Sequence, residues 1–424
     1  MATILLLACT SPRNSDAPRI PLEMWVHSGR AEEREALHAM VADFNRRQSD
    51  ISVHMEVLPE GSYNGQIQAA ALADDLPDIV EFDGPYVSNY VWQGKLRPLD
   101  TLLPQTLLGD LLPSIRAQGR YRGRLYAVGM FDSGLGLYGR RSALERIGAA
   151  IPATPNDAWD VDTFDAILDR LAAVDTDGRV IDLKTNYNGE WYAYGFSPAI
   201  QSAGGDLIER REYRSAEGVL DSPAAVAAMS RIQAWFKDGR VDPNLDDDAF
   251  VSGRVALSWV GHWEFARYHA AFGDDLAVMP LPDFGHGTRS GQGSWNFGIT
   301  TASEHPKAAA RLLAYLLDPP QVLKMCAANG AVPATLTAVA RSPRYAPSGP
   351  LHLFADQLKT GVTVSRPVTP AYPIISSVFE RAFRDIQDGA PVQATLSRAA
   401  RVIDADIRAN RGYPWLFEKT PGVP

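Results

Sequence analysis

With 424 residues, the chain is long enough for two or three domains. Hydrophobic residues make up 46% and charged residues 21%, ordinary globular values that exclude wholesale disorder and fibrous repeats. A formal net charge of −9 argues against a general nucleic-acid binder, which needs a basic surface.

The chain opens with an apolar run, residues 3–8, that ends at Cys9. Leu6-Leu7-Ala8-Cys9 has the form of a bacterial lipoprotein box, in which the cysteine receives lipid. Residues 10–21 are polar and broken by proline, as a tether would be. No Lys or Arg precedes Cys9, and the run is short for a signal peptide. Residues 1–21 therefore read either as a truncated signal, lipobox and tether, or as an uninformative tail. No later run is apolar for the 18 or more residues that a membrane span needs.

Residues 22–26 predict a strand. Leu37, Met40, Val41 and Phe44 share one helical face within residues 31–48. Ile51, Val53, Met55 and Val57 alternate with polar residues, which is the strand period. An alanine-rich helix over 66–73 and a strand over 77–81 follow. This β-α-β-α-β order implies a parallel sheet with helical crossovers, whose strand ends bind ligands. Those ends carry His27-Ser28-Gly29, Glu60-Gly61-Ser62-Tyr63 and Phe82-Asp83-Gly84. Further on, strands are expected over 125–128, 135–138 and 255–260. Helices are expected over 164–174, 226–236, 306–317, 319–328, 374–387 and 392–408.

Catalytic signatures are scarce: there is no GxSxG, HExxH or P-loop. Gly134-Leu-Gly136-Leu-Tyr-Gly139 matches GxGxxG, but its intervening residues look extended, so no dinucleotide loop is expected. Asp246-Asp247-Asp248 lacks the alternating ligands of a calcium loop and reads as a solvated acidic turn. Neither a cofactor nor a metal is expected. Cys326, in an apolar helical stretch, reads as a buried inert thiol.

Six segments in order carry a family resemblance. They are Leu76-Pro77 with Asp78-Ile-Val-Glu-Phe-Asp83; Gly94-Lys-Leu-Arg-Pro-Leu-Asp100; Tyr121-Arg-Gly-Arg-Leu-Tyr-Ala-Val128; Leu137-Tyr138 with Ile147-Gly148; Gly253-Arg-Val-Ala-Leu257 with Gly261-His-Trp263; and Glu304-His-Pro-Lys-Ala-Ala309. Together they resemble the extracellular solute-binding proteins of bacterial ABC importers, family 1, in the maltose- and glycerophosphate-binding branch. The resemblance spans residues 22–403. It implies an α/β, type II periplasmic-binding-protein-like fold: two lobes, a hinge and a ligand cleft between them. Lobe 1 would take 22–131 and 285–333, and lobe 2 would take 134–283 and 336–424. Hinges would fall at 130–133, 280–284 and 331–333.

A sugar offers apolar C–H faces to flat aromatic rings and hydroxyl edges to polar groups. Trp263 is the first expected platform, because the resembling family places a stacking tryptophan after Gly-x. The alternative is a core position. Trp295, in Gly293-Ser-Trp-Asn-Phe-Gly298, is either a cleft or a core residue. At least one of Trp191 and Tyr192 is expected in the cleft. Tyr63 and Asp83 lie at strand ends, where the resembling positions touch ligand, and Ser28 is a further strand-end candidate; Asp83 would otherwise cap the next helix. Asp132 is expected at the cleft floor beside the hinge. Tyr372 is a further candidate. The segment around Tyr372 lacks the arginine of the glycerophosphate branch, which favours a neutral sugar, although Arg366 is near. Trp25, Trp92, Trp159, Trp235 and Trp259 are assigned to cores and lobe surfaces.

The sequence thus reads as a binding protein, not an enzyme. It would capture a mono- to oligosaccharide outside the cytoplasm and deliver it to importer permease subunits. It would be a monomer, held to the membrane only by a lipid on Cys9, with no nucleic-acid partner. A glycerophosphodiester or other polyol is the alternative ligand. A glycosidase pairing Asp83 with Asp132 or Glu190 is the remote one.

Overall fold

Hydrophobic patterning divides the chain between two sheets, each assembled from separated stretches of sequence. The computed structural model describes residues 18–415; the lipobox expected at Cys9 lies outside the described residues. Strand β1 (Ile20–His27) pairs in parallel with β2 (Ile51–Leu58) and with β3 (Ile79–Asp83). Helix α1 (Ala31–Arg47) links β1 to β2 and buries Leu37, Met40, Val41 and Phe44, the face that periodicity selected. Its acidic first turn and basic last turn both suit the helix dipole.

Two expectations are corrected in this lobe. Helix α2 (Glu60–Ala73) begins at Glu60 rather than at residue 66, so Glu60-Gly61-Ser62-Tyr63 is a first helical turn and not a strand-end loop. Pro59 stands just ahead of it in an extended conformation, which a helix start tolerates. The sheet is also mixed: Trp295–Ile299 lies antiparallel between β3 and Ala127–Val128. Period-two patterning reports a strand but not its direction.

The second sheet holds Leu276–Met279, Leu135–Arg140, Leu257–Gly261 and Ile181–Asp182, in that order. The Gly134–Gly139 fingerprint lies in and beside the Leu135–Arg140 strand, as its extended look predicted. A Cβ at Gly139 would sit 2.8 Å from Met279 Cε, so that glycine serves strand packing, not a phosphate cradle. Around this sheet the core gathers Trp159, Trp235, Trp259 and the C-terminal helices Tyr372–Gln387 and Val392–Ala409. Cys326 is buried in the first lobe's core, and burial pushes its thiol far up.

Among the described residues the chain passes between the lobes three times: after Val128, after Gln292 and after Asn329. The first and third passages run side by side, because Phe131–Asp132 pairs antiparallel with Val332–Pro333. Ala334 and Ala338 still pack into the first lobe's core, whereas Val332 and Leu351 pack into the second's. The result is a two-lobed fold joined by short extended segments.

Candidate functional site

A cavity of about 510 Å³ opens between the lobes. Strands β1 and β3 aim their carboxyl ends at it, delivering His27 and Asp83. In the antiparallel register Trp295 lies opposite Asp83. The second lobe supplies Tyr187, Glu190, Trp191, Tyr194 and Trp263.

The first-lobe wall is an aromatic ring on a cation. Trp295 stacks on His27 with centroids 3.7 Å apart and planes 9° from parallel. His27 Nδ1 lies 2.7 Å from Glu81 Oε2. Burial alone would lower the imidazole's pKa. The charge of Glu81 and its hydrogen bond outweigh burial, with help from Glu33 and Glu60, and hold it at about 9. His27 is therefore an imidazolium at neutral pH, a favourable partner for an indole face.

The opposite wall is Trp263. Its Nε1 donates to Tyr187 Oη at 3.3 Å, and Trp191 meets it edge-on at 6.1 Å and 84°. A methyl group at position 261 would overlap the six-membered ring of Trp263, so the ring needs glycine there. Gly261→Ala should displace the ring and weaken binding of the ligand at least about tenfold. Its melting temperature should fall only a few degrees, as about 1 kcal/mol would cause. Calorimetric titration beside a melting curve separates the two effects, and unchanged affinity would show that the ring's placement is irrelevant.

Between the walls lies a charged triad that spans the lobes. Arg366 grips Asp83 with two hydrogen bonds of 2.9 and 2.6 Å and donates to Glu190 at 2.6 Å. Glu190 also accepts from the hydroxyls of Ser376, at 2.5 Å, and Tyr372. Burial, together with the charge of Asp83, raises the Glu190 carboxyl to about 7 against the pull of Arg366. A second bridge crosses nearby. Arg30 of the first lobe donates to Asp247 at 2.8 Å and to Tyr187 at 2.8 Å, and it pairs with Glu264. At the floor His262 sits between lobes, its Nδ1 2.8 Å from the Asn329 carbonyl oxygen and its Nε2 3.1 Å from Ser133 Oγ. A carbonyl only accepts, so Nδ1 carries the proton. Burial lowers this imidazole to about 4, and it is neutral.

Of the nine candidate contact residues, Trp263, Trp295, Trp191 and Asp83 line the cavity. The other five are not among its lining residues, and with Trp191 there the expectation of at least one of Trp191 and Tyr192 is met. Tyr63 is fully buried; its hydroxyl donates to the Glu81 carbonyl at 2.6 Å, and its ring meets Trp295 edge-on. Tyr192 packs on Phe383 and donates to the Thr185 carbonyl. Asp132 is buried and accepts from the Gln118 side chain at 2.8 Å and the Ser133 amide at 2.9 Å. Tyr372 is buried behind Glu190. Ser28 Oγ accepts from the Glu60 amide at 3.2 Å, while its neighbours His27 and Gly29 face the cavity. The expected solvated turn at 246–248 holds for the exposed Asp246 and Asp248, while the half-buried Asp247 has a further role. Asp247 binds Arg30, Lys184 and Arg267, so it anchors a basic cluster. His27, Tyr187 and Arg30 are cavity residues that sequence reading missed. His27 was legible as a strand-end residue; Tyr187 and Arg30 carry no motif.

The chain matches the sequence pattern of the bacterial extracellular solute-binding proteins over residues 39–349. It belongs to that family. Among curated proteins, the melibiose/raffinose/stachyose-binding protein MelE of Bacillus subtilis is 26% identical over 159 residues. That match covers 36% of this chain and only 35% of MelE. Among solved structures, the GacH receptor of Streptomyces glaucescens, studied unliganded and with acarbose, superposes with a TM-score of 0.78. It is 21% identical, covering 92% of this chain and 100% of that one. UgpB of Mycobacterium tuberculosis, solved with glycerophosphocholine, gives 0.77 at 20% identity, covering 92% and 99%. At such identities the superpositions establish the fold: type II periplasmic-binding-protein-like.

Proposed function

We propose that this solute-binding protein is the capture component of a carbohydrate ABC importer, holding a mono- to oligosaccharide between its lobes. The observation that carries this reading is the meeting of Trp295, from one lobe, with Trp263 and Trp191, from the other, on one cavity. Between these rings stand hydroxyl-binding groups: Asp83, Glu190, Asn64 and Arg366. The rings cover sugar faces and the polar groups take hydroxyls. A ligand touching both walls favours the closed arrangement, because only that arrangement offers both contacts. The segments at 130–133 and 331–333 would be hinges, and the third would follow Gln292 rather than lie at 280–284, where Leu281 and Phe284 pack in the second lobe's core. The permease would read the closed face of both lobes. The protein would work outside the cytoplasm, as its family does, with Cys9 as lipid attachment and no turnover of its ligand.

The glycerophosphodiester alternative rests on Arg366 in the cleft wall. It is weakened because both cavity arginines are already committed to carboxylates.

The test is a tryptophan-fluorescence and thermal-shift screen against mono-, di- and trisaccharides, polyols and glycerophosphodiesters. A bound sugar, unconsumed, should raise the melting temperature by mass action, about 2.7 kcal/mol at a hundredfold excess over Kd. A response to phosphodiesters alone would move the ligand to the alternative. Silence across the panel would end the carbohydrate reading.

A further inference from the structure

Arg366 is 4% exposed and lines the cavity, where a guanidinium would ordinarily select phosphate, sulfate or carboxylate. Its surroundings work against that. Asp83 takes both of its terminal nitrogens and Glu190 takes one. These carboxylates come from far apart in sequence and from opposite lobes, so the pairing exists only in the folded chain. With both ionised, the triad carries a surplus negative charge. The Nε–H of Arg366 has no partner among the described residues and is itself shielded from solvent, so the charge of the guanidinium is balanced by these two carboxylates.

We propose that Asp83 and Glu190 set ligand specificity by masking the charge of Arg366, so that the cleft turns anionic ligands away and takes uncharged ones. The proposal rests on the carbohydrate reading of the same cleft and names its substrate class as uncharged. It also accounts for three charged residues sharing one wall. A lone arginine would bind anionic ligands, and a lone carboxylate pair would be costly to bury. Negative selection of this kind is a common route to specificity.

The masking is graded and can be removed in steps. Sulfate is the probe, because its charge is constant across the working pH range. The triad changes from surplus negative in the wild type, through neutral in Glu190→Gln, to positive in Asp83→Asn/Glu190→Gln. Each amide still offers Arg366 an acceptor oxygen. Sulfate affinity, read by calorimetry and tryptophan quenching, should rise along this series by at least about tenfold overall, equal to about 1.4 kcal/mol. Adding Arg366→Gln should abolish the gain. A flat series, or a gain that survives Arg366→Gln, would overturn the proposal.

The wild-type protein supplies a measurement that needs no variant fold. Glu190 is held near pH 7, so acidification should protonate it and unmask Arg366. The groups facing Glu190 are Asp83 at the end of β3, Arg366, and Ser376 and Tyr372 of the 372–387 helix. Tyr86 and Tyr194 complete the surroundings and stay protonated throughout. Sulfate binding should strengthen between pH 8 and 5.5, and an unchanged affinity would count against masking. This failure is distinct from failure of the carbohydrate reading. A protein that binds no sugar still shows or lacks the sulfate series.

Discussion

Replacing Trp263 by alanine should weaken binding of the captured sugar about a hundredfold while leaving the protein folded. The ring is only partly buried, held by a hydrogen bond to Tyr187 and by contacts with Trp191, His262 and Tyr194. The remaining face borders the cavity. An aromatic platform that a ligand covers is the kind of residue whose truncation costs 2 kcal/mol or more, and about 2.7 kcal/mol is a hundredfold. Trp191→Ala is the contrasting variant. That ring is 6% exposed and packs on Phe196 and Tyr187, so its loss should remove about 3–5 kcal/mol of stability. Calorimetric titration and urea denaturation of both variants should therefore separate affinity from stability. Equal affinity in Trp263→Ala and the wild type would remove the ring from any account of binding.

The two tryptophans illustrate what sequence could show. Gly261-x-Trp263 was legible through the family resemblance, and the structure supplies its physical reason: a side chain at 261 would collide with the ring. Amphipathic helices were legible for a similar reason: 3.6-residue periodicity records burial directly, as in Leu37, Met40, Val41 and Phe44. Tyr63, Asp132 and Tyr372 were misplaced because a polar group at a strand or helix end looks the same whether it meets ligand or a buried carbonyl. All three turned out to be internal supports: Tyr63 behind Trp295, Asp132 beside Ser133, and Tyr372 behind Glu190. The antiparallel strand Trp295–Ile299 was illegible in direction because pairing partners are chosen by topology. The Asp83–Arg366–Glu190 triad was illegible as a unit for the same reason. Its members are separated by 283 and 176 residues, and no local pattern links them.

His27 should make the protein lose stability as the solution turns alkaline. Its pKa is raised from 6.5 to about 9 in the folded chain, through Glu81 against the opposing effect of burial. The folded state therefore holds a proton that the unfolded chain releases. The resulting stabilisation is complete below pH 6.5 and disappears as pH climbs through 9. A rise of that size is worth about 3 kcal/mol. Two other buried groups act at lower pH with opposite signs. Glu190, raised to about 7, takes stability away between 4.5 and 7, whereas His262, lowered to about 4, adds it between 4 and 6.5. They offset each other below neutrality and leave the alkaline interval to His27, joined near its upper end by the buried Cys326 thiol, whose raised pKa also costs stability as pH passes 9. Urea unfolding at pH 7 and pH 9.5 should show the wild type losing most of that stability. His27→Gln, which keeps a donor toward Glu81 but cannot titrate, should show a distinctly shallower loss across the same interval, the remainder coming from Cys326. Parallel slopes for the two proteins would mean that His27 is not held as an imidazolium, and the cationic floor beneath Trp295 would have to be abandoned.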